Sequence, residues 1–275
     1  MAFLDHIKQC NAHDLSRFVP FLTMAGEQIG WVRRDRVDLL KAYPDVFHLE
    51  NGAVQLLSQD GMAAVCADLY QKGIIKHWRD ELYAVNQSFG TAAVFEIERC
   101  AVSFFGIRAY GVHINGFVRT DEGIKVWVGK RSMDRAICPG MYDNIVAGGQ
   151  PAGLSLMDNI IKECAEEANI PAELAKKATP VGAISYIMET EGGIKPDVMF
   201  CYDLELPENF TPVNTDGETE EFYLWSLEEL ADHVHGGGNF KFNCNLVIID
   251  FLIRHGYINP DEEVDYEQLV RGLRS

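Results

Sequence analysis

The sequence predicts an α/β fold in which helices flank a mixed β-sheet, preceded by a smaller α+β region. After Tyr110, the run GVHINGFVRTDEGIKVWVGKRS contains two β-rich segments separated by Thr-Asp-Glu-Gly, which is typical of a hairpin. A glycine-rich segment then leads into a helical pattern over residues 156–169. Strand-like runs follow at residues 181–188, 198–206 and 222–225. This alternation indicates an α/β/α sandwich on a mixed sheet.

The first 108 residues mix short helical patterns with strand-like runs and contain no recognisable catalytic motif. Aromatic side chains there, such as Tyr83, are interpreted as core packing rather than as a ligand site. We predict an N-terminal α+β accessory domain over residues 1–108 and a second domain over residues 109–275. The predicted N-terminal helices cover residues 4–18, 37–43 and 62–72, and the predicted strands cover residues 28–32 and 92–97.

The charge of the chain argues against a general nucleic-acid-binding protein. The formal net charge is −17, with 24 Lys and Arg residues against 41 Asp and Glu residues, whereas phosphate backbones are bound by clusters of Lys and Arg. A small anionic substrate therefore requires a local cation. A divalent metal ion is one such cation, because it bridges acidic side chains and phosphate oxygens.

Cysteine usage and hydrophobicity bear on the cellular location. The seven cysteines are scattered and form no CxxC pair, so they indicate neither a zinc knuckle nor a disulfide framework. No apolar segment reaches the roughly 18 residues of a membrane span. We therefore predict a cytoplasmic protein that is neither secreted nor embedded in a membrane.

The most informative segment is a glycine-rich loop that runs directly into a helix. Gly148, Gly149 and Gly153 allow tight turns and a close approach of the backbone to a ligand. In the helix that follows, Glu163, Glu166 and Glu167 fall within an arc of roughly 100°. Three carboxylates therefore share one flank of this helix.

An acidic face exposed to solvent is the usual explanation for such a cluster, and two features argue against it. Like charges three or four residues apart destabilise a helix by a few tenths of a kcal/mol per pair unless a cation binds. In addition, Glu163 and Glu167 border the apolar stripe that contains Ile160 and Cys164. Carboxylates at the edge of a core are suited to hold Mg²⁺ against a diphosphate.

This segment resembles the signature of the Nudix hydrolases. In that signature a glycine is followed, after five residues, by a position that is usually Glu. Seven residues later comes Arg-Glu-apolar-x-Glu-Glu-x-Gly-apolar. The corresponding residues here are Gly148, Leu154, Lys162, Glu163, Cys164, Glu166, Glu167, Asn169 and Ile170. Leu154 replaces the usual first Glu, and Lys162 replaces Arg, which keeps the charge and loses the bidentate fork. Asn169 replaces Gly at a position where Asn is the next best residue for left-handed geometry.

The resemblance extends along the second half through VAGGQPAGLS, KECAEEA, PDVMFCYDLELP, TDGETEEF and LVIIDFLIRHGYI. These segments are similar to one Nudix subfamily, and the first half resembles its accompanying N-terminal domain of unknown function (DUF4743). In fungi and plants this pair of domains is linked to thiamine metabolism. The resemblance implies a diphosphatase that converts oxidised or antimetabolite thiamine diphosphates into monophosphates.

Carried over by position, the resemblance implies roles for individual residues. Glu163, Glu166 and Glu167 match metal ligands, joined by the backbone carbonyl of Ala147. Glu218 and Glu220 match the place of a further ligand or of the base that activates water, although an acidic turn exposed to solvent explains either one equally well. Gly148 and Gly149 are expected to contact substrate. Lys130 and Arg131 end the second strand of the hairpin, where they are expected to reach phosphate oxygens or to form an ordinary surface pair.

We therefore predict hydrolysis of a diphosphate linkage with Mg²⁺, or with Mn²⁺ as a substitute, in thiamine diphosphate or its oxidised analogues. One alternative is a nucleoside diphosphate derivative such as ADP-ribose, because residues outside the signature choose the substrate. Another is a binding module of the same fold that lacks catalysis, which Leu154 and Lys162 favour. The N-terminal domain is expected to wall the substrate pocket or to form the contact of a homodimer.

Overall fold

A computed structural model describes residues 1–237 and 239–274. The first part of the chain contains three helices and six strands, and all of them except the first helix surround a core of their own. In chain order these are α1 (Phe3–Cys10), β1 (Phe18–Leu22), β2 (Gln28–Arg33), α2 (Val37–Leu40), β3 (Phe47–Glu50), β4 (Ala53–Leu56), α3 (Met62–Gln71), β5 (Leu82–Val85) and β6 (Phe95–Glu98). Strands β1 to β4 form a sheet in the order β2-β1-β4-β3, and β5 pairs with β6.

The second part contains the large sheet. Its elements are β7 (Tyr110–Thr120), β8 (Gly123–Arg131), β9 (Tyr142–Asn144), β10 (Val146–Gly149), α4 (Leu156–Ala168), α5 (Ala172–Ala175), β11 (Thr179–Thr190), β12 (Gly193–Glu205), β13 (Thr219–Ser226), α6 (Leu227–His235), α7 (Cys244–Arg254) and α8 (Tyr266–Gly272). The strand order is β11-β12-β7-β8-β13, while β10 pairs with β7 and β9 pairs with β8. Strands β7 and β12 are parallel and the other pairs are antiparallel, so the sheet is mixed as predicted.

Helices cover both faces of this sheet, which confirms the α/β/α sandwich. Residues alternate along β7: Val112 and Ile114 face the core under α4 and α5, whereas Phe117 belongs to the core under α6 and α7. Helix α7 is buried over nearly its whole length, as its continuous apolar composition predicts. The two faces therefore separate the acidic helix α4 from the apolar helix α7.

Helix α1 begins the chain and packs in the core of the second part. Phe3, Leu4 and Ile7 lie among residues of α6, α7 and β11, and His6 Nε2 lies 2.8 Å from the carbonyl oxygen of Val234. The predicted boundary between residues 108 and 109 stays a prediction. A truncation at residue 109 would remove α1 and expose this apolar surface, so it is not a clean test of the N-terminal part.

The predicted helix over residues 4–18 is wrong in its second half. Helix α1 ends at Cys10, a short 3₁₀ segment follows at Leu15–Arg17, and Phe18 begins β1. The apolar run after residue 17 satisfies the alternating burial of a strand paired with β2, and this pairing outweighs local helical preference.

Candidate active site

Helix α4 positions the acidic cluster, and its two ends are determined by local chemistry. The Ser155 side chain accepts a hydrogen bond from the backbone N–H of Asp158, which caps the first turn. Asn169 ends the helix in left-handed geometry with φ 52°, which confirms the expectation for this replacement of Gly. Ile160 and Cys164 face the core and are fully buried. The glutamates are thereby fixed along the edge of the apolar face.

The glycine loop lies directly against this acidic edge, defined here as the carboxylates of Glu163, Glu166 and Glu167. A β-carbon on Gly148 would overlap the carboxyl carbon of Glu163, so only glycine allows this approach. The backbone N–H of Ala147 donates to Glu167 Oε2 at 2.8 Å. Strand β10 and helix α4 are therefore joined through the predicted ligands.

Lys162 is the cation that the acidic edge already contains. Its ammonium nitrogen lies 3.0 Å from Glu163 Oε1 and 3.0 Å from Glu166 Oε2. The Glu163 side chain is 12% exposed and that of Glu166 is 49% exposed, so Glu166 reaches further into solvent. Part of the repulsion among these carboxylates is therefore relieved within the helix. Glu167 is left without a lysine or arginine partner among the ion pairs of the described residues.

The surroundings of Glu167 alter its protonation. Burial raises the pKa of Glu167 to about 8, the charges of Asp143 and Glu163 add to this shift, and the Ala147 N–H opposes it. Burial also raises the pKa of Glu163, against the effect of Lys162. In the metal-free protein, Glu167 consequently exchanges a proton near neutral pH.

Polar side chains hold the glycine loop in place from within. Asn159 Nδ2 donates to the carbonyl of Gly149 at 2.8 Å and to Gln150 Oε1 at 3.1 Å. Gln150 Nε2 in turn donates to the carbonyl of Leu154 at 2.8 Å. Both side chains are buried, so these bonds are protected from water and the loop is rigid before any ligand binds.

The downstream acids occupy different positions. Thr215 donates to the carbonyl of Glu166 at 2.6 Å, which places the loop before β13 against α4. Within this region Glu218 forms an ion pair with Arg135, and the charge of Glu167 acts on the same arginine. Glu220 pairs with Lys130 at 3.1 Å, across strands β13 and β8. The structure therefore brings Glu218, rather than Glu220, toward the acidic edge.

The Arg131 side chain lies in the protein interior, where other protein groups accept its hydrogen bonds. Its Nη1 donates to Asp143 at 2.7 Å, and its Nε and Nη2 donate to the carbonyls of Ile137 and Cys138. A phosphate contact by this guanidinium would require some of these bonds to break. The predicted pair Lys130 and Arg131 is thus divided between a surface ion pair and a buried cluster.

Asp143 is the centre of a second group of potential metal ligands. Among the described residues, one set of three side chains has ligand atoms within 4.8 Å of one another: His113, Asp143 and Cys244. Lys241 and Arg131 both bind Asp143, and although burial opposes them, they lower its pKa to about 2. Burial also raises the pKa of the Cys244 thiol, which donates to Asp143 at 2.6 Å. We call this set the Asp143 cluster, and its one carboxylate is already paired with two cations.

A cavity of about 580 Å³ lies between the two parts of the chain. Ala147, Gly148 and Gly149 line it from the second part, together with His113 and Lys241. The N-terminal part contributes several cationic and aromatic side chains to the same wall: Arg36, Lys76, His77, Arg79, Tyr83, Arg99 and Phe104. The cavity is within the size range of small-molecule sites, about 300–1,000 Å³.

Tyr83 packs in the core of the N-terminal part, as interpreted, and it also reaches the glycine loop. Its hydroxyl lies so close to Gly149 that a β-carbon there would overlap it, and the Arg99 guanidinium lies 5.6 Å from the centre of its ring. No motif in the first 108 residues indicates this contact. The one available signal is Gly149 itself, since a glycine marks a close approach without identifying the partner.

Comparisons with known proteins match both parts of the chain. A domain of unknown function (DUF4743) matches residues 2–109. The chain is 41% identical over 292 residues to Nudix hydrolase 20, chloroplastic, of Arabidopsis thaliana, which covers 99% of this chain and 78% of the relative. Nudix hydrolase 24, chloroplastic, of the same plant is 40% identical, with the same coverage. The uncharacterized protein YJR142W of Saccharomyces cerevisiae is 39% identical over 71% of this chain and 60% of its own length.

Solved structures with similar backbones include DR0079 from Deinococcus radiodurans, with a TM-score of 0.47 and 21% identity, covering 65% of this chain and all of that one. The NUDIX domain of Shewanella oneidensis NrtR, solved with ADP ribose, has a TM-score of 0.44 and 16% identity, covering 55% of this chain and 90% of that one.

The predicted cytoplasmic location is contradicted by the names of the two Arabidopsis relatives, both of which are chloroplastic. Free cysteines indicate a reducing compartment, and this criterion does not separate the cytoplasm from other reducing compartments. Among the helices of residues 1–237 and 239–274, none has the length and hydrophobicity needed to span a membrane.

Proposed function

The chain belongs to the Nudix hydrolase family, and from this we propose that it hydrolyses thiamine diphosphate, or oxidised analogues of it, to the monophosphate. One observation carries the proposal: the acidic edge of α4 meets a glycine loop that lines a cavity of about 580 Å³. Gly148 therefore lines the cavity and also contacts the Glu163 carboxylate.

The donor set of the acidic edge suits the metal ions that Nudix hydrolases generally use, Mg²⁺ or Mn²⁺. Carboxylate oxygens are hard ligands, and Mg²⁺ retains several waters, so the three glutamates need not form a closed cage. Glu163 and Glu166 would hold the ion where the Lys162 ammonium now lies, with Glu167 and the Ala147 carbonyl beside it. When bound, such an ion neutralises phosphate charge and acidifies a coordinated water.

Among the predicted catalytic acids, Glu167 is best placed to accept a proton from the attacking water. Burial raises its pKa, so in the protein without a metal ion this carboxyl group binds a proton more tightly than an ordinary one. The N–H of Ala147 holds one of its oxygens at 2.8 Å and so orients the carboxyl group. Glu218 remains a second candidate, held by Arg135 next to the same edge.

The cavity offers chemistry suited to a nitrogen heterocycle that carries an N–H donor. Asp197 accepts a hydrogen bond from the Tyr186 hydroxyl at 2.9 Å and pairs with Lys195 at 3.0 Å through the same oxygen, Oδ2. Its Oδ1 is buried and has no partner among the described residues. A buried acceptor of this kind favours a ligand that supplies an N–H donor. The aminopyrimidine of thiamine does so, and Tyr186 and Phe242 line the cavity for its rings.

The division of the chain at residue 108 and a homodimer contact by its N-terminal part stay predictions. We propose the same boundary for the two structural units, with α1 as an N-terminal segment that closes onto the second unit. Any test of function therefore uses the full chain.

A substrate panel with the full chain and Mg²⁺ tests the proposed function. We expect thiamine diphosphate and oxythiamine diphosphate to exceed ADP-ribose in kcat/KM by about tenfold or more. Substituting both Glu166→Gln and Glu167→Gln should lower kcat by about 1000-fold or more, because the metal ligands and the base are lost. Glu173→Gln is the matched control: its side chain is 85% exposed on α5 and should leave activity unchanged.

Three outcomes would contradict parts of this proposal. A preference for ADP-ribose would overturn the substrate, and full activity of the double variant would overturn the mechanism. Tight binding of Mg²⁺ and a nonhydrolysable diphosphate without turnover of any substrate would instead identify a binding module.

A further inference from the structure

The N-terminal unit is docked on the catalytic loop itself. Besides the contact between Tyr83 and Gly149, the backbone N–H of Ala152 donates to the carbonyl of Leu82 at 2.8 Å. Both contacts come from β5; one reaches the last residue of β10 and the other reaches the segment between β10 and α4. The strand therefore fixes side chains of the N-terminal unit next to the backbone that meets the acidic edge.

The cavity is cationic although the chain is strongly acidic. Six Lys and Arg residues line it against two acidic residues, in a protein whose formal net charge is −17. Four of the six come from the N-terminal unit: Arg36, Lys76, Arg79 and Arg99. This local reversal of charge predicts that the cavity attracts an anion.

Some of these cations are already occupied by protein groups. Arg36 donates to the carbonyls of Glu191 and Gly192. Lys241 binds Asp143 at 3.2 Å, and Lys195 pairs with Asp197. These bonds leave Lys76 and two arginines of the N-terminal unit, and of these three the arginines alone have the planar fork that binds two phosphate oxygens at once.

Arg99 and Arg79 are these two arginines. Among the described contacts, Arg99 uses only Nη1, in a 2.7 Å bond to Glu81, and its side chain is 43% exposed. Arg79 is exposed, and its backbone N–H rather than its guanidinium binds Glu98. A guanidinium carries five N–H donors, so both retain donors that fit phosphate oxygens.

The two arginines also lie near the catalytic elements. Burial lowers the pKa of Arg135, which binds Glu218, and the charges of Arg79 and Arg99 add to this effect, while Glu167 opposes it. Cations gathered in this way repel one another unless an anion lies among them. The acidic edge supplies part of the negative charge that these cations require, and a phosphate would supply the rest.

We propose that Arg99 and Arg79 bind the phosphate oxygens of the substrate on the side opposite the acidic edge, so that the N-terminal unit completes the active site. This inference rests on the proposed function in requiring a diphosphate substrate. It assigns the N-terminal unit a direct role in substrate binding, and the acidic edge and the arginines then contact the same diphosphate from two sides.

Single substitutions in the full chain test this role. For Arg99→Gln and Arg79→Gln we expect KM, and the inhibition constant of inorganic diphosphate, to rise by about tenfold to 100-fold, with a smaller change in kcat. Arg99→Lys should recover part of the loss, since it restores the charge without the fork. Arg119→Gln is the matched control, because this arginine is exposed, pairs with Glu205 and lies outside the cavity.

Inorganic diphosphate binding separates this inference from the proposed function. If the wild-type chain did not hydrolyse thiamine diphosphates, and both Gln variants still bound inorganic diphosphate more weakly than the wild type, the proposed substrate would be wrong and the arginine site would stand. Wild-type inhibition constants and kcat/KM within about twofold in both variants would overturn the arginine site. The Arg79→Gln variant is expected to fold, because the Arg79 guanidinium forms no described hydrogen bond. An unchanged Tm would establish that it folds.

Discussion

Two groups of potential metal ligands lie in the second unit, one centred on Asp143 of strand β9 and one on helix α4, and they differ in charge balance. In the Asp143 cluster, one carboxylate is bound by two cations, Lys241 and Arg131, and by a protonated thiol. At the acidic edge, two of the three carboxylates share the single ammonium of Lys162, and among the ion pairs of the described residues Glu167 has no lysine or arginine partner. The first group is complete without a metal, and the second has a deficit of positive charge.

This difference shows that the proximity of ligand atoms is a poor guide to a metal site. The Asp143 cluster has its ligand atoms within 4.8 Å of one another, but its charges are paired in the interior, where unpaired charges would be costly. The acidic edge is more open and has its deficit next to a cationic cavity. A divalent ion would supply the positive charge that the acidic edge lacks, and a diphosphate would supply negative charge to the cationic cavity.

The largest expected effect on stability is that of Asp143→Asn, which tests whether the Asp143 cluster is held by charge pairing. We expect it to lower the free energy of unfolding by about 3–5 kcal/mol at pH 7, because Lys241 and Arg131 stay buried without their partner. The folded-state pKa of Asp143 is lowered from 3.8 to about 2. Its contribution is therefore present above about pH 4 and is lost as the pH falls through 2.

Urea denaturation between pH 3 and pH 8 measures this difference. A variant as stable as the wild type would contradict the charge pairing at Asp143. A wild type that loses stability in EDTA, with no such loss in the variant, would show that the Asp143 cluster is a metal site and would contradict the comparison.

A pair of glycine substitutions separates the two walls of the cavity, with expected effects of about 1–3 kcal/mol on stability from overpacking. In Gly148→Ala the new β-carbon meets Glu163, so the affinity for Mg²⁺ should fall most. In Gly149→Ala it meets the Tyr83 hydroxyl, so KM should rise most. Tyr83→Phe should partly rescue Gly149→Ala and should not rescue Gly148→Ala. Equal rescue of both would contradict this assignment.

The smallest expected effect concerns Glu167, where the change of stability with pH has the opposite sign to that at Asp143. The raised pKa of Glu167 means that the folded protein binds more protons than the unfolded chain between pH 4.5 and about 8. Stability contributed by this group therefore falls as pH rises through that window. In EDTA at pH 8, Glu167→Gln should be more stable by roughly 1 kcal/mol, since solvent reaches part of the carboxyl and reduces the penalty.

Thermal denaturation with EDTA and with Mg²⁺ checks this sign. Mg²⁺ should stabilise the wild type and have little effect on the variant. A destabilised variant in EDTA would place Glu167 in the same class as Asp143.

The sequence identified helix α4 and its acidic edge because their signals are local. The spacing of Glu163, Glu166 and Glu167 along one helix sets their common edge through helical geometry alone. Ser155 and Asn169 determine the ends of α4 through their own backbone preferences. Strands β7 and β8 were likewise evident from alternation and from a turn between them. Each of these features depends on neighbours within about a dozen residues.

Other parts of the site depend on residues far apart in the chain. Arg131 had the composition of a phosphate ligand, but its direction into the interior follows from Asp143 on the neighbouring strand β9. Glu218 and Glu220 were equivalent in sequence, and the packing of their loop against α4 and β8 separates them. Helix α1 joins the core of the second unit through contacts with residues more than 200 positions away.

The sequence by itself determined that this chain has a glycine loop and a helix with an acidic edge, because these follow from short-range periodicity and capping. Only the tertiary structure decided what lies opposite that edge. Tyr83 and Arg99 come to Gly149 through the packing of two separate cores, and no local pattern encodes a distance between them. The same packing balances charge at Asp143 and leaves it unbalanced at Glu167, since burial and the position of distant lysines and arginines set each carboxyl group's free energy.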